Sequence, residues 1–147
     1  MFVRTEVYRM KHITEIEPIA DARGVMHVLH AEIDVPFLVR RFFYITGVPQ
    51  GAKRGFHAHA KEQECCICIQ GSCRFVLDDG VSRGEHVLDA PGKLLHIPCM
   101  TWVEMDDFTA GCILLVVCDR AYDQQERICD YDDFMKLVKK GSSQKPE

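Results

Sequence analysis

Short apolar stretches recur along this chain and are separated by clusters of turn residues. The turn segments QGS at 70–72, DDG at 78–80 and DAPG at 89–92 contain the Gly, Pro, Asp and Ser residues that favour tight turns. Short strands at regular spacing, with no helical pattern between them, are typical of an antiparallel sandwich or barrel. The strands predicted in this way cover residues 25–29, 37–45, 64–69, 73–77, 94–97 and 111–118.

One helical pattern follows at the C-terminal end, over residues 131–140. Phe134, Leu137 and Val138 are spaced i, i+3 and i+4 and would form a single apolar face. Acidic residues at its start and lysines at its end suit the helix dipole, and we expect Gly141 to end the helix. The pattern as a whole predicts an all-β fold with a short C-terminal helix.

The length and composition favour one folded domain. The chain has 147 residues, of which 47% are hydrophobic and 27% charged, so a packed core is expected rather than disorder. We predict a single domain over residues 1–140 and a polar tail over residues 141–147.

The net charge of −4 gives no general attraction to nucleic acid or to an anionic membrane, so neither is an expected partner. The longest apolar stretch, residues 111–118, is far shorter than the ~20 residues that span a bilayer, and the first residues lack the apolar core of a signal peptide. These features predict a cytoplasmic protein with reduced cysteines. Cys65 and Cys68 have CxxC spacing but would lie on opposite faces of a strand, and no spacing matches a zinc ribbon or finger, so we interpret the eight cysteines as small buried hydrophobes.

The most distinctive chemistry belongs to a histidine pair. His57 and His59 are two residues apart, so on a strand they share a face. With Glu64 and Gly71 they resemble the first motif of the cupins, which are small antiparallel jelly rolls. In metal cupins the two imidazoles and the carboxylate bind an ion, and a later strand supplies a histidine as fourth ligand. Val103 stands where that ligand is expected, and valine cannot bind a metal.

Two interpretations of His57 and His59 follow. As metal ligands, they would be neutral imidazoles oriented by neighbouring groups. As acid–base groups without a metal, they would transfer protons near neutral pH, where imidazole ordinarily titrates. A third interpretation, that one or both only fill the barrel and hydrogen-bond the backbone, is less favoured for two histidines on one face.

A longer resemblance favours the acid–base interpretation. The segment RGFHAH at 54–59 resembles the signature RGxHAH of the sugar-nucleotide 3,4-ketoisomerases, cupin enzymes that act on dTDP-4-keto-6-deoxy-glucose. The segment DYDDF at 130–134 resembles their closing motif, and matching segments run through nearly all of the chain. The other matches are Arg23-Gly24, Pro36-Phe37 with Arg41 and Tyr44, Gly71-Ser72, residues 77–80, Ile97-Pro98 with Trp102 and Glu104, and Tyr122-Asp123.

The resemblance implies a cupin-type jelly roll and an isomerase that moves the ketone of a dTDP-keto-sugar from C4 to C3 through an enediol. The reaction needs a base, an acid and a group that stabilises the enolate oxygen. It implies no cofactor and no metal, and a homodimer that exchanges N-terminal strands. We expect His59 to be the main base and His57 its partner, although the sequence does not order the two.

Six residues are predicted to bind substrate. The guanidinium groups of the two arginines would hold diphosphate oxygens, and the other four would contact the sugar or thymine or orient a neighbour. For each there is a plainer alternative, such as a surface ion pair for an arginine or core packing for the tryptophan. The six are Arg41, Tyr44, Arg54, His96, Trp102 and Glu104.

One departure from the family keeps other functions open. Glu64 stands where these enzymes usually have Gln, and it completes the ligand set of a metal cupin. The alternatives are therefore a metal-dependent cupin, an oxygenase or isomerase using His57, His59 and Glu64, or a sugar-binding cupin without catalysis.

Overall fold

The structure is a computed structural model that describes residues 12–143. It contains twelve strands, a 3₁₀ turn at Gln124–Glu126 and one α-helix. The elements are β1 (Ile13–Glu15), β2 (Ile19–Asp21), β3 (Gly24–Met26), β4 (Arg41–Ile45), β5 (Arg54–His59), β6 (Glu64–Gln70), β7 (Cys73–Asp78), β8 (Arg83–Leu88), β9 (Lys93–Ile97), β10 (Trp102–Asp106), β11 (Ile113–Cys118), β12 (Arg127–Ile128) and α1 (Tyr131–Ser142).

The strands form two five-stranded antiparallel sheets and a separate hairpin. The first sheet has the order β1-β9-β6-β11-β4, the second has the order β12-β5-β10-β7-β8, and β2 pairs with β3. Residues of both sheets meet in one buried cluster, which includes Leu95 and Leu114 of the first sheet and Phe75 and Leu77 of the second. This face-to-face arrangement is the all-β jelly roll with a short C-terminal helix that the sequence predicts.

Strand β4, at the edge of the first sheet, is shorter than predicted. The strand expected over residues 37–45 starts only at Arg41. Phe37 is instead buried outside the strand, in a second cluster on the outer side of the first sheet with Ile67 and Leu94. An apolar stretch can bury its residues without hydrogen-bonding as a strand, and the sequence pattern does not separate the two cases.

The interpretation of the cysteines is confirmed for six of the eight. Cys66 and Cys68 belong to the cluster between the sheets, and Cys65 belongs to the outer cluster, as alternation along a strand requires. The interpretation is wrong for Cys99 and Cys129, which are exposed. Both lie outside the strands, where no core is available to cover them.

Helix α1 packs against the outer face of the second sheet. Phe134 is fully buried against Ala58 and Trp102. The helix runs through Gly141 to Ser142, so the predicted end before Gly141 is wrong. The Ser142 hydroxyl donates to the Val138 carbonyl, which helps to close the last turn. Within the described part of the chain, no helix is long and apolar enough to cross a membrane.

Candidate active site

A bulge between β5 and β10 aims the two histidines between the sheets. Gly55 has φ +87°, and a Cβ there would lie 2.6 Å from the carbonyl oxygen of Val103. Only glycine allows this close approach, and the register of the two strands shifts between Val103 and Glu104. His57 and His59 then project to the same side, with ring centroids 4.9 Å apart and planes at 85°.

The histidines lie in a cavity of about 640 Å³ between the two sheets. Apolar side chains cover part of its wall, and charged side chains from several separate segments cover the rest. A cavity of this size holds part of a substrate-sized molecule and provides a few polar groups to orient it. Its lining comprises Arg41, Phe43, Ile45, Lys53, Arg54, Gly55, His57, His59, Glu62, Glu64, Cys66, Phe75, Val103, Met105, Val116, Tyr122 and Arg127.

His59 is held at Nδ1 by a carboxylate, and two further carboxyl groups lie beyond hydrogen-bond distance of its Nε2. Its Nδ1 forms a short hydrogen bond with Glu126. The same carboxylate accepts the backbone N–H groups of Lys61 at 2.8 Å and Glu62 at 3.1 Å. Although burial acts in the opposite direction, these hydrogen bonds lower the pKa of Glu126. An ionised Glu126 accepts a hydrogen bond from Nδ1–H, so the neutral ring of His59 carries its lone pair on Nε2 and can act as a base there.

His57 is held by a cation instead. The Nη2 of Arg127 lies 3.3 Å from His57 Nδ1. Burial lowers the pKa of His57 to about 4, and the nearby Arg127 and His59 act in the same direction against the carbonyl of Gly55. His57 is therefore a neutral imidazole at neutral pH.

A buried pair of carboxylates lies beside His59. Glu62 accepts two hydrogen bonds from Arg41, at 2.9 and 3.0 Å, which balances its charge. Glu64 has no such partner, and its Oε1 lies 3.5 Å from His59 Nε2. Burial, with the adjacent Glu62, raises the pKa of Glu64 to about 8. Glu64 is therefore mostly protonated at neutral pH and is available as a proton donor.

The two predicted arginines line the cavity, but in different ways. Arg41 points inward from β4 and is occupied by Glu62 and by the carbonyl of Arg120, 3.0 Å away. Arg54 is exposed at the start of β5. Tyr44 alternates with the inward residues of β4 and is 66% exposed on the outer side, so the structure does not bring it to the cavity.

The remaining three predicted residues also lie outside the cavity. His96 faces the outer side of the first sheet, where its Nε2 is 3.0 Å from the side-chain oxygen of Gln63. Trp102 is buried under α1, against Phe134. Glu104 accepts hydrogen bonds from Arg83 and from the Trp102 indole. For Trp102 the plainer alternative of core packing describes what the structure shows, and alternation along β9 did not say which side of the sheet His96 would face.

Several cavity residues were missed by the sequence analysis. Glu126 and Arg127 follow the histidines by almost 70 positions and reach them because β12 pairs with β5. Glu62 lies in the segment between β5 and β6, next to the recognised motif. The available signal was weak: two charged residues stand directly before the apolar Ile128, and nothing in that pattern indicates a histidine partner.

The described residues contain three clusters of side chains with donor atoms close enough to share an ion. None of these clusters includes His57, so the triad of the metal alternative is not assembled as such. Val103, at the position expected for a fourth ligand, pairs with His57 across the strands and is buried. Clusters of this kind also occur without an ion. They are His59–Glu62–Glu126, Glu62–Glu64–Cys118 and Cys68–Cys73–Cys112.

The sequence matches a known protein family over residues 8–139, the family described as FdtA: WxcM-like, C-terminal. A curated relative is the TDP-4-oxo-6-deoxy-alpha-D-glucose-3,4-oxoisomerase of Aneurinibacillus thermoaerophilus. It is 35% identical over 128 residues, which cover 87% of this chain and 92% of that protein.

Solved structures with the same fold carry a consistent activity in their names. The sugar 3,4-ketoisomerase QdtA of Thermoanaerobacterium thermosaccharolyticum, in complex with TDP, has a TM-score of 0.84 and 34% identity over 90% of this chain and 98% of its own. The TDP-quinovose 3,4-ketoisomerase WlaRB of Campylobacter jejuni has a TM-score of 0.81 and 34% identity over 84% of this chain and 95% of its own. A QdtA mutant is solved with TDP-4-keto-6-deoxyglucose. These similarities confirm the predicted resemblance and the cupin-type fold.

Proposed function

This chain belongs to the FdtA family, and on that premise we propose that it is a 3,4-ketoisomerase of TDP-4-keto-6-deoxyglucose. The relatives named above are 3,4-ketoisomerases or oxoisomerases, so the enzyme class is isomerase. The observation that carries the proposal for this chain is its pair of imidazoles in one cavity, each held at Nδ1 by an opposite kind of partner.

The reaction is an exchange of two protons. A base removes the proton from C3 of the sugar, and the C4 carbonyl oxygen takes up a proton as the electrons form an enediol between C3 and C4. The C3 hydroxyl then loses its proton to become the ketone, while C4 receives a proton. Each step needs a group that accepts or donates a proton at a fixed position, and no electrons enter or leave the sugar.

The geometry supports His59 as the base. Its Nδ1 proton is engaged by Glu126, and its Nε2 makes no hydrogen bond within residues 12–143, the carboxyl oxygens of Glu64 and Glu62 being 3.5 and 3.7 Å away. The negative charge of Glu126 stabilises the imidazolium that forms when Nε2 takes the C3 proton. His57, neutral and on the same face, is the partner that donates a hydrogen bond to the enolate oxygen.

Positive groups at the cavity support the binding of the diphosphate. Lys53 and Arg54 line the cavity and form no hydrogen bond or ion pair with a carboxylate of residues 12–143, whereas Arg41 is engaged by Glu62. We therefore assign the diphosphate to Arg54, with Lys53 beside it, and give Arg41 the role of ordering the carboxylates. The predicted contacts of Tyr44, His96, Trp102 and Glu104 with substrate are not retained in this proposal.

The experiment is incubation of the purified protein with TDP-4-keto-6-deoxyglucose in deuterated water, followed by NMR. We expect deuterium at C3 or C4 and a 3-keto product, with the same rate after treatment with EDTA. A protein without exchange and without product would overturn the proposal. A rate that is lost with EDTA and restored by added metal would favour the metal alternative.

We further propose that the protein acts as a homodimer in the cytoplasm. Within residues 12–143 the β2–β3 hairpin pairs with no other strand, and its Ile19, Val25 and Met26 are each more than half exposed. Such apolar side chains are stabilised when a second copy covers them. Light scattering on the purified protein should give a dimer, and Val25→Asp with Met26→Asp should shift it toward monomer. A monomeric wild type would contradict this assembly.

A further inference from the structure

The two histidines receive their partners from consecutive residues. Glu126 meets Nδ1 of His59, and the next residue, Arg127, meets Nδ1 of His57 at 3.3 Å. Glu126 ends the 3₁₀ turn, and Arg127 begins β12, where it pairs with His59 of β5 and reaches the cavity. One short segment therefore places a negative charge behind one imidazole and a positive charge behind the other.

The direction of the second hydrogen bond follows from the chemistry of arginine. A guanidinium has five N–H donors and no acceptor. Nδ1 of His57 must accept this hydrogen bond, so it carries no proton, and the proton of the neutral ring lies on Nε2. For His59 the opposite holds, because a carboxylate accepts and so keeps the proton on Nδ1.

We infer that Arg127 is a positioning residue that fixes His57 in its Nε2–H form, so that His57 serves as the hydrogen-bond donor and acid while His59 serves as the base. This inference rests on the proposed function. It assigns the order of the two histidines, which their spacing on β5 leaves open. Arg127 is partly buried, and its Nε is the one buried side-chain polar atom lacking a partner among residues 12–143.

The other groups around His57 do not provide this control. His59 lies on the same strand, and β10 opposes His57 with Val103, which does not titrate. The Gly55 carbonyl favours a protonated ring, in opposition to Arg127. Without Arg127, nothing would disfavour the Nδ1–H form. The titratable and charged groups that face this part of the cavity are His59, Glu126, Arg127, Lys53, Arg54, Arg41, Glu62, Glu64 and Tyr122.

The test combines side-chain NMR with kinetics on the full chain. Histidine nitrogen spectra of the ¹⁵N-labelled wild type, assigned with His57→Gln, should show the Nε2–H form for His57 and the Nδ1–H form for His59. In Arg127→Met we expect a mixture of the two forms at His57 and a titration midpoint shifted to higher pH. We expect kcat at neutral pH to fall by about 10²-fold, the lower end of what a positioned proton-transfer group contributes.

The pH dependence separates this role from a structural one. A protonated His57 carries a proton on Nε2 whatever its neutral form, so the deficit of Arg127→Met should shrink as the pH falls through the raised pKa of His57. Arg127→Lys, which still donates to Nδ1, should recover part of the rate. Arg120→Met is the matched control, because it removes the same charge from the neighbouring segment, where Arg120 pairs with Asp119; it should leave the spectrum of His57 and the pH profile unchanged.

A wild-type His57 in the Nδ1–H form would overturn the inference. The inference would also be overturned if the loss of kcat in Arg127→Met were the same at every pH, or if Arg127→Met had the same kcat as Arg120→Met. If Arg127→Met does not fold, the inference is still tested by the histidine spectrum of the wild type and by the kcat of Arg127→Lys. A wild type without isomerase activity would overturn the proposed function, whereas the NMR measurement needs no substrate and tests the role of Arg127 separately.

Discussion

The two faces of the second sheet use the same strands for different purposes. On the inner face, β5 and β10 present His57, His59 and Val103 to the cavity. On the outer face, the same strands present Ala58 and Trp102 to helix α1. Both faces contain buried charged or polar groups, but those groups are paired in different ways.

The outer face has a closed polar network. Asp78 accepts the Tyr131 hydroxyl at 2.8 Å and lies 3.3 Å from Arg83. Arg83 also donates to Glu104 at 2.9 Å, and Glu104 accepts the Trp102 indole at 3.1 Å. Every side chain of this network has a partner within the chain, as expected of groups that hold a helix on a sheet.

The inner face has an open network. Among residues 12–143, Glu64 faces Glu62 with no cation of its own, and the Nε of Arg127 has no partner. The Nε2 of His59 makes no hydrogen bond there and has only the carboxyl oxygens of Glu64 and Glu62 nearby, at 3.5 and 3.7 Å. Incomplete pairing of buried groups costs free energy and is therefore expected where a substrate or a proton completes the set. The comparison indicates that the closed network stabilises the fold and that the open network performs chemistry.

The largest expected effect is on activity from the inner face. His59→Asn should lower kcat by about 10²–10⁴-fold, because it removes the base. Its unfolding midpoint should remain close to that of the wild type. His86→Asn, on β8 and outside the cavity, is the control and should keep the wild-type rate. A His59→Asn protein with wild-type turnover would remove His59 from the mechanism.

The next effect is on stability from the outer face. Phe134→Ala should lower the free energy of unfolding by about 3–5 kcal/mol, since it leaves a cavity under α1. Leu137→Ala, in the same helix but 45% exposed, should cost much less. Denaturant titration measures both. The distinction between the two faces would fail if Phe134→Ala lost its kcat at a low temperature at which the protein is still folded.

A pH-dependent effect should distinguish the open network from the surface. Glu64 holds its proton in the folded state up to about pH 8, whereas in the unfolded chain it titrates at its ordinary value. The folded state therefore binds more protons between these values, and stability falls as the pH rises through this range. Glu64→Gln should remove that fall.

The gain of Glu64→Gln over the wild type should grow with pH to several kcal/mol and level off above pH 8. Thermal unfolding from pH 4 to 9 gives the measurement. The exposed Glu17→Gln should follow the wild-type curve at every pH. Parallel curves for Glu64→Gln and the wild type would show that Glu64 is ionised in the folded state.

The smallest effect should come from one hydrogen bond of the closed network. Tyr131→Phe removes the donor to Asp78 and should cost about 1 kcal/mol of unfolding free energy, because Tyr131 is partly exposed and water can replace the bond. Its kcat should be unchanged. A tenfold loss of kcat at full folding would connect this network to the reaction and remove the distinction between the two faces.

Much of the fold followed from local patterns. The turn at 70–72 joins β6 to β7, and the spacing of Phe134 and Val138 correctly placed a helix with Phe134 buried. The short strands β1, β2, β8 and β12 escaped notice because they contain few consecutive apolar residues. Pairing with a neighbour, rather than their own composition, makes them strands.

The site was predictable only along one strand. His57 and His59 share a face because the side-chain period of a strand is two, and this required no tertiary information. His96 shows the limit of that reasoning. It alternates with Leu95 and Ile97 as expected, but those two residues are the inward ones, so His96 faces outward. Alternation separates two faces and does not say which one meets the cavity.

The sequence by itself determined the all-β architecture, the C-terminal helix, the family resemblance and the histidine pair, because each depends on residues that are close along the chain. Only the tertiary structure decided what stands behind each histidine. Glu126 and Arg127 reach β5 through the pairing of a two-residue strand, and that long-range contact gives two identical side chains opposite partners. Proton affinity and tautomer depend on such contacts, which the order of residues does not reveal.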